Sequence, residues 1–83
     1  MSRIGVVMMT AREMFEKIGY RRSTDIDVIK YSKKLDDTFY WIEVMFDLLE
    51  KEIVLNDNGY EAYIITCDLL KAINKQCEEL RWI

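Results

Sequence analysis

Residues 66–83, T-C-D-L-L-K-A-I-N-K-Q-C-E-E-L-R-W-I, form the clearest amphipathic segment of the chain. Thr66 is a suitable N-cap, and Asp68 places a negative charge in the first turn, where the helix dipole favours it. The segment predicts a C-terminal helix whose apolar side the preceding strands must cover. We predict one stripe at helical spacing, widened by Leu69 and Ala72, with Gln76 and Glu79 off it: Leu70, Ile73, Cys77 and Leu80.

A second, shorter helix is predicted near the other end of the sequence. Thr10 and Glu13 match a capping box, in which a hydroxyl at the N-cap is followed three residues later by Glu. Gly19 stands where a left-handed residue ends a helix at Lys17 or Ile18. Because two or three turns are unstable alone in water, this helix must dock on the sheet. Its predicted apolar face consists of Ala11, Met14, Phe15 and Ile18.

The middle of the chain is rich in β-branched and aromatic residues, which predicts strands at 27–32, 38–47, 50–55 and 60–65. Residues 20–25 fit either a strand or a loop. Asn58-Gly59 is a favoured hairpin pair, so residues 56–59 are predicted to form a turn. In the strongest strand, alternation separates two apolar faces. Tyr40, Ile42, Val44 and Phe46 lie on one face, and Phe39, Trp41, Glu43 and Met45 on the other.

The element order α-β-β-β-β-α predicts an α+β fold. Short turns between successive strands favour a four-stranded antiparallel meander, and helices that cover one face of the sheet give a two-layer sandwich. Helices on opposite faces remain an alternative, because the strongest strand is apolar on both sides.

We interpret residues 9–83 as a single α+β domain. Residues 1–8 read as a non-native or flexible N-terminal extension, with Met9 or Met8 as the native start. The alternative is a short strand in residues 4–8 that joins the sheet and covers its second face.

Composition narrows the classes of function. The sequence has no histidine, and its two cysteines would lie ~15 Å apart on one helix, beyond the ~7 Å that a disulfide spans. It has no apolar run of the ~18 residues that cross a bilayer. We therefore expect a reduced, cytoplasmic, non-enzymatic protein without a cofactor or bound metal.

Charge is unevenly distributed along the chain. Residues 1–34 carry eight basic and four acidic side chains, a net charge of +4, whereas residues 35–83 carry four basic and eleven acidic, a net charge of −7. The overall charge of −3 weighs against nucleic acid as a partner. The basic half contains a candidate polar partner surface: Arg21, Arg22, Lys30, Lys33 and Lys34.

The two ends of the chain resemble those of a family of small proteins encoded by phages and prophages of Gram-positive bacteria. The similarity lies in M-T-A-R-E-M-F-E-K-I-G-Y at residues 9–20 and L-L-K-A-I-N-K-Q-C-E-E-L-R-W-I at residues 69–83. Together these segments cover about a third of the chain, and the middle matches only in pattern. The resemblance implies a phage or prophage context but no particular mechanism.

We therefore expect an interaction protein that binds and modulates a host protein, with a defence component as one candidate. A small-ligand or nucleotide-binding oligomer is the first alternative, and a nucleic-acid-binding sheet platform is the second. If the helices cover only one face of the sheet, aromatic residues on the other face predict a homodimer or a partner site. The candidate interface residues are Phe39, Trp41, Met45 and Tyr63.

Overall fold

A computed structural model describes residues 9–35, 39–59 and 64–83, and every structural statement below refers to these residues. Two helices flank one four-stranded antiparallel meander of strand order β1-β2-β3-β4, which confirms the predicted α+β architecture. The elements are α1 (Ala11–Lys17), β1 (Arg21–Asp25), β2 (Val28–Lys34), β3 (Trp41–Asp47), β4 (Glu52–Asp57) and α2 (Cys67–Glu79).

The first strand of the sheet is the polar segment that the sequence left open between strand and loop. Arg21–Asp25 pairs antiparallel with β2 through a tight turn at Ile26 and Asp27. As an edge strand it needs only its backbone hydrogen bonds to one neighbour, so charged residues are accepted there. The strand predicted at 60–65 is not among the four: residues 60–63 lie outside the described part, and Ile64 and Ile65 are irregular.

Both caps predicted by the sequence are present. The Thr10 hydroxyl accepts a hydrogen bond from the Glu13 N–H (3.1 Å), and the Glu13 carboxylate accepts one from the Thr10 N–H (2.8 Å). Thr66 caps α2 by accepting from the Leu69 N–H (3.1 Å). Gly19 has a φ of +95°, which allows the sharp turn from α1 into β1.

The buried side of α2 differs from the predicted stripe. Leu70 is 50% exposed, whereas Gln76 is buried, so the prediction was wrong at both positions. Gln76 is accepted in the core because its side-chain oxygen receives a hydrogen bond from the Tyr31 hydroxyl (2.6 Å). The other buried residues of α2 are Leu69, Ala72, Ile73 and Cys77.

The core lies between the helices and one face of the sheet, which we call the inner face. Phe15 of α1 stacks on Tyr31 with ring centroids 3.8 Å apart, and Phe46 packs edge-on against both rings. Trp82, which follows α2, lies against Phe46 with ring centroids 6.2 Å apart. Both helices therefore cover the same face, and the alternative with helices on opposite faces does not hold for the described residues.

A buried polar network links the two layers around Tyr31. Its hydroxyl donates to Gln76 and accepts from the Arg22 guanidinium (3.3 Å). Burial raises the pKa of Tyr31 above its usual value near 10; the charge of Glu79 adds to this, and Arg22 opposes it. The helices are joined by the Ala11 N–H, which donates to the Glu79 carboxylate at 2.7 Å.

Candidate functional site

The side of the sheet opposite the helices, which we call the outer face, is not covered by any described helix or loop. Strand alternation assigns its side chains. In β3 the pattern is clear, since Ile42, Val44 and Phe46 are buried and the residues between them are not. The outer face consists of Arg21, Ser23, Asp25, Val28, Lys30, Ser32, Lys34, Trp41, Glu43, Met45, Asp47, Glu52, Val54 and Asn56.

The structure brings two of the four predicted interface residues, Trp41 and Met45, to this face. Trp41 is 38% exposed and Met45 is half-buried among its strand neighbours. Phe39 precedes β3 and is 93% exposed, so it protrudes beside the sheet rather than lying flat on it. Tyr40, predicted to share the inner face, is also exposed because β3 begins only at Trp41. Tyr63 lies outside the described residues.

The five basic residues predicted as one polar surface are divided between the two faces. Arg21, Lys30 and Lys34 belong to the outer face. Arg22 turns inward, where its guanidinium lies 5.8 Å from the Tyr31 ring, and the Lys33 ammonium lies 5.7 Å from the Tyr20 ring. Strict alternation along a strand separates neighbouring basic residues, so these five side chains do not share one face of the sheet.

Residues of the predicted interface and residues of the predicted basic surface meet in a cleft at one end of the outer face. The cleft has a volume of about 450 Å³ and combines cationic, aromatic and polar groups. Lys33 contributes to its wall although its ammonium is directed to Tyr20. The lining residues are Arg21, Ser32, Lys33, Lys34, Phe39, Trp41 and Glu43.

Asn58 positions the aromatic residues of this cleft. Its side-chain amide donates to the Phe39 carbonyl (2.8 Å), and its side-chain oxygen accepts from the Trp41 N–H (2.8 Å). Asn58 follows β4 and thereby ties the end of that strand to the beginning of β3. The sequence predicted only a turn residue here, since a contact across seventeen positions leaves no local signal. Asn56, also predicted in the turn, belongs to β4 and donates to the Glu43 carboxylate (3.2 Å).

Charge is separated along the outer face. We call Arg21 and Lys34 the basic end, which lies beside the cleft, and Asp25, Asp47 and Glu52 the acidic end. Both ion pairs among the described residues lie within helices, so none neutralises either end. Glu43 is the one outer-face acid near the basic end, and it is hydrogen bonded to Asn56.

The described residues include no group of three or more Cys, Asp or Glu side chains arranged to hold a metal ion. Cys77 is buried, and burial raises the pKa of its thiol. Cys67 is exposed at the first position of α2. The surface with the most distinctive chemistry is thus the outer face, which combines aromatic, thioether and charged groups suited to binding.

Comparison with protein-family models, with curated proteins and with solved structures finds no match to this chain. Within residues 9–35, 39–59 and 64–83, no helix is long and apolar enough to cross a membrane.

Proposed function

We propose that the chain is a non-enzymatic interaction protein and that the outer face is its protein-binding surface. The observation that supports this is a sheet face that no helix or loop among the described residues covers, on which Trp41 and Met45 lie among charged residues. Protein interfaces are enriched in Trp, Tyr, Phe, Met and Arg relative to the remaining surface, and they place charged groups at the rim. The outer face has the first feature in Trp41, Met45 and Arg21, and most of its other charged residues lie at the ends of its strands.

The resemblance of the chain ends to phage and prophage proteins supplies the biological setting of the proposal. In that setting the protein acts in the cytoplasm of a bacterial host, binds a host protein and modulates it, and a defence component is one candidate. The cleft defines the chemistry of the contact. Its aromatic side chains accept an apolar anchor, and Arg21 and Lys34 favour acidic groups beside that anchor.

Affinity capture from host cells that express the phage genes tests this proposal. The bait is the full chain, compared with Trp41→Glu and with Leu70→Glu. Leu70 is a matched control because it is an exposed apolar residue on α2, away from the outer face. We expect a reproducible host protein that Leu70→Glu retains and Trp41→Glu loses. No reproducible protein, or equal capture by both variants, would contradict the proposal.

A small anionic ligand with a planar ring is the second candidate, and the cleft is the observation that favours it. A mononucleotide would stack its base on Trp41 and pair its phosphates with Arg21 and Lys34. Equilibrium dialysis with nucleoside triphosphates tests this, and Arg21→Ala should abolish any binding that the wild type shows. Binding of single-stranded DNA or RNA at low salt would instead support the nucleic-acid alternative, which the acidic net charge disfavours.

A further inference from the structure

The charge separation on the outer face has a consequence for what can bind there. The basic end and the acidic end lie at opposite ends of the strands, since Lys34 pairs with Trp41 at one end and Asp47 pairs with Glu52 at the other. The ends are six residue steps apart along β3, from Trp41 to Asp47, a distance of ~20 Å in an extended strand. Between these ends lie Lys30, on the row of Met45, and Glu43, on the row of Ser32. The two ends of the face, rather than every row, are therefore complementary in charge to a reversed copy.

Two copies can meet with their outer faces together. If they are related by a two-fold axis that is parallel to both sheets and perpendicular to the strands, the strands of one copy run opposite to those of the other. The basic end of each copy then lies over the acidic end of its partner, and the favourable pairing occurs twice. The axis then lies between the row of Glu43 and the row of Met45, which also holds Lys30, so Glu43 of each copy faces the row of Met45 and Lys30 in the other copy. This is the self-complementary pattern that a symmetric dimer requires.

We infer that a second copy of this chain occupies the outer face, forming a homodimer with its two sheets face to face and its strands reversed. The inference rests on the proposed function in one respect, because both use the outer face as a protein-binding surface. The inference adds that a second copy of the chain occupies the outer face when no host protein is present. A host protein that binds the same face must then displace the second copy.

The size of the face sets the expected strength of the dimer. Four strands spaced ~4.8 Å apart and ~20 Å long give a contact only ~20 Å on each side. Its projected area of ~400 Å² is about half of the ~800 Å² per partner that specific interfaces bury, so the dimer is expected to be weak. We therefore expect a dissociation constant on the order of micromolar, which leaves the second copy exchangeable for a host partner.

A charge-swap experiment on the purified full chain tests the arrangement. One variant, Arg21→Glu/Lys34→Glu, makes both ends acidic, and the other, Asp25→Lys/Glu52→Lys, makes the acidic end basic. Asp47 is left unchanged because its carboxylate accepts from the Leu49 and Glu50 N–H groups in the turn after β3. Far-UV circular dichroism and denaturant unfolding establish that each variant is folded.

We expect the wild type to sediment as a dimer at micromolar concentration and each variant alone to bind itself about tenfold or more weakly. An equimolar mixture of the two variants should restore a dimer, because every acidic end again meets a basic one. A monomeric wild type, or two variants that dimerise as tightly as the wild type, would overturn the inference. So would a mixture that stays monomeric.

Salt gives a second measurement that needs no variant. Raising the salt concentration to ~1 M shortens the screening length to ~3 Å and should weaken the wild-type dimer. Dimerisation that is unchanged or strengthened by salt would contradict the charge-paired arrangement. Since these experiments contain only this chain, a monomeric wild type removes the dimer and leaves host capture untouched. Failed capture with an intact dimer removes only the proposed host partner.

Discussion

The two sides of β3 are built from alternate residues of the same seven-residue strand, yet their surroundings differ. Ile42, Val44 and Phe46 are buried beneath two helices, whereas Trp41 and Met45 project from a face without a described cover. The alternation of residues in the sequence assigns the two sets to opposite sides of β3, but it does not determine which side the helices cover. The comparison indicates that the inner side stabilises the fold, and the outer side is the one that we propose for binding.

The largest expected difference between the faces comes from truncating neighbouring residues of β3. Phe46 is completely buried against Phe15, Tyr31 and Trp82, so Phe46→Ala should lower the free energy of unfolding by about 3–5 kcal/mol. Met45→Ala, one position away on the outer face, should cost about 1 kcal/mol. Denaturant unfolding of the two variants measures this, and equal losses would show that both faces are packed alike.

A smaller effect is expected from Tyr31→Phe, which tests the polar contact between the sheet and α2. Removing the hydroxyl leaves the buried Gln76 oxygen without its donor and should cost about 1–3 kcal/mol. The substitution also changes the response to alkali. Because the pKa of Tyr31 is raised in the folded protein, its contribution is present below pH ~10 and is lost as the pH rises through the folded-state pKa.

Unfolding measured from neutral to alkaline pH should therefore show a steeper loss of stability in the wild type than in Tyr31→Phe. Parallel curves would contradict the buried environment assigned to this phenol.

The smallest of these effects concerns the turn that places α1 on the inner face. Gly19 and Gly59 both have positive φ, of +95° and +108°. A Cβ at Gly19 would meet the Lys33 Cε at 3.2 Å, whereas one at Gly59 meets nothing within 4 Å. Gly19→Ala should lower the free energy of unfolding by more than about 1 kcal/mol. Gly59→Ala should lower it by less, because the new Cβ there meets no other atom and only the backbone is strained. Thermal unfolding of both variants tests the ranking, which a costlier Gly59→Ala would contradict.

Local signals predicted much of the fold. The caps at Thr10 and Thr66, the turn at Gly19 and the alternation of β3 are determined within a few residues, and the structure has all of them. The strand Arg21–Asp25 has no apolar pattern of its own. It forms because a tight turn brings it beside β2, and the sequence therefore left it open.

The candidate site depended more on contacts between distant residues. Trp41 and Met45 were placed on the outer face by periodicity alone. The cleft required Arg21 and Trp41 to meet through strand pairing, and it required Asn58 to brace the start of β3. Gln76 was assigned to the solvent side because its buried partner, Tyr31, lies forty-five positions away. Such contacts arise only when the chain is folded.

The stability of Trp41→Glu tests the central claim most directly, because a charged side chain is tolerated on a binding face and not in a core. It should be measured in denaturant at a protein concentration low enough to keep the chain monomeric. We predict a free energy of unfolding within about 1 kcal/mol of the wild type, together with the loss of self-association and of host-protein capture. A loss of several kcal/mol would show that the outer face is part of the core, and would contradict its assignment as a binding surface.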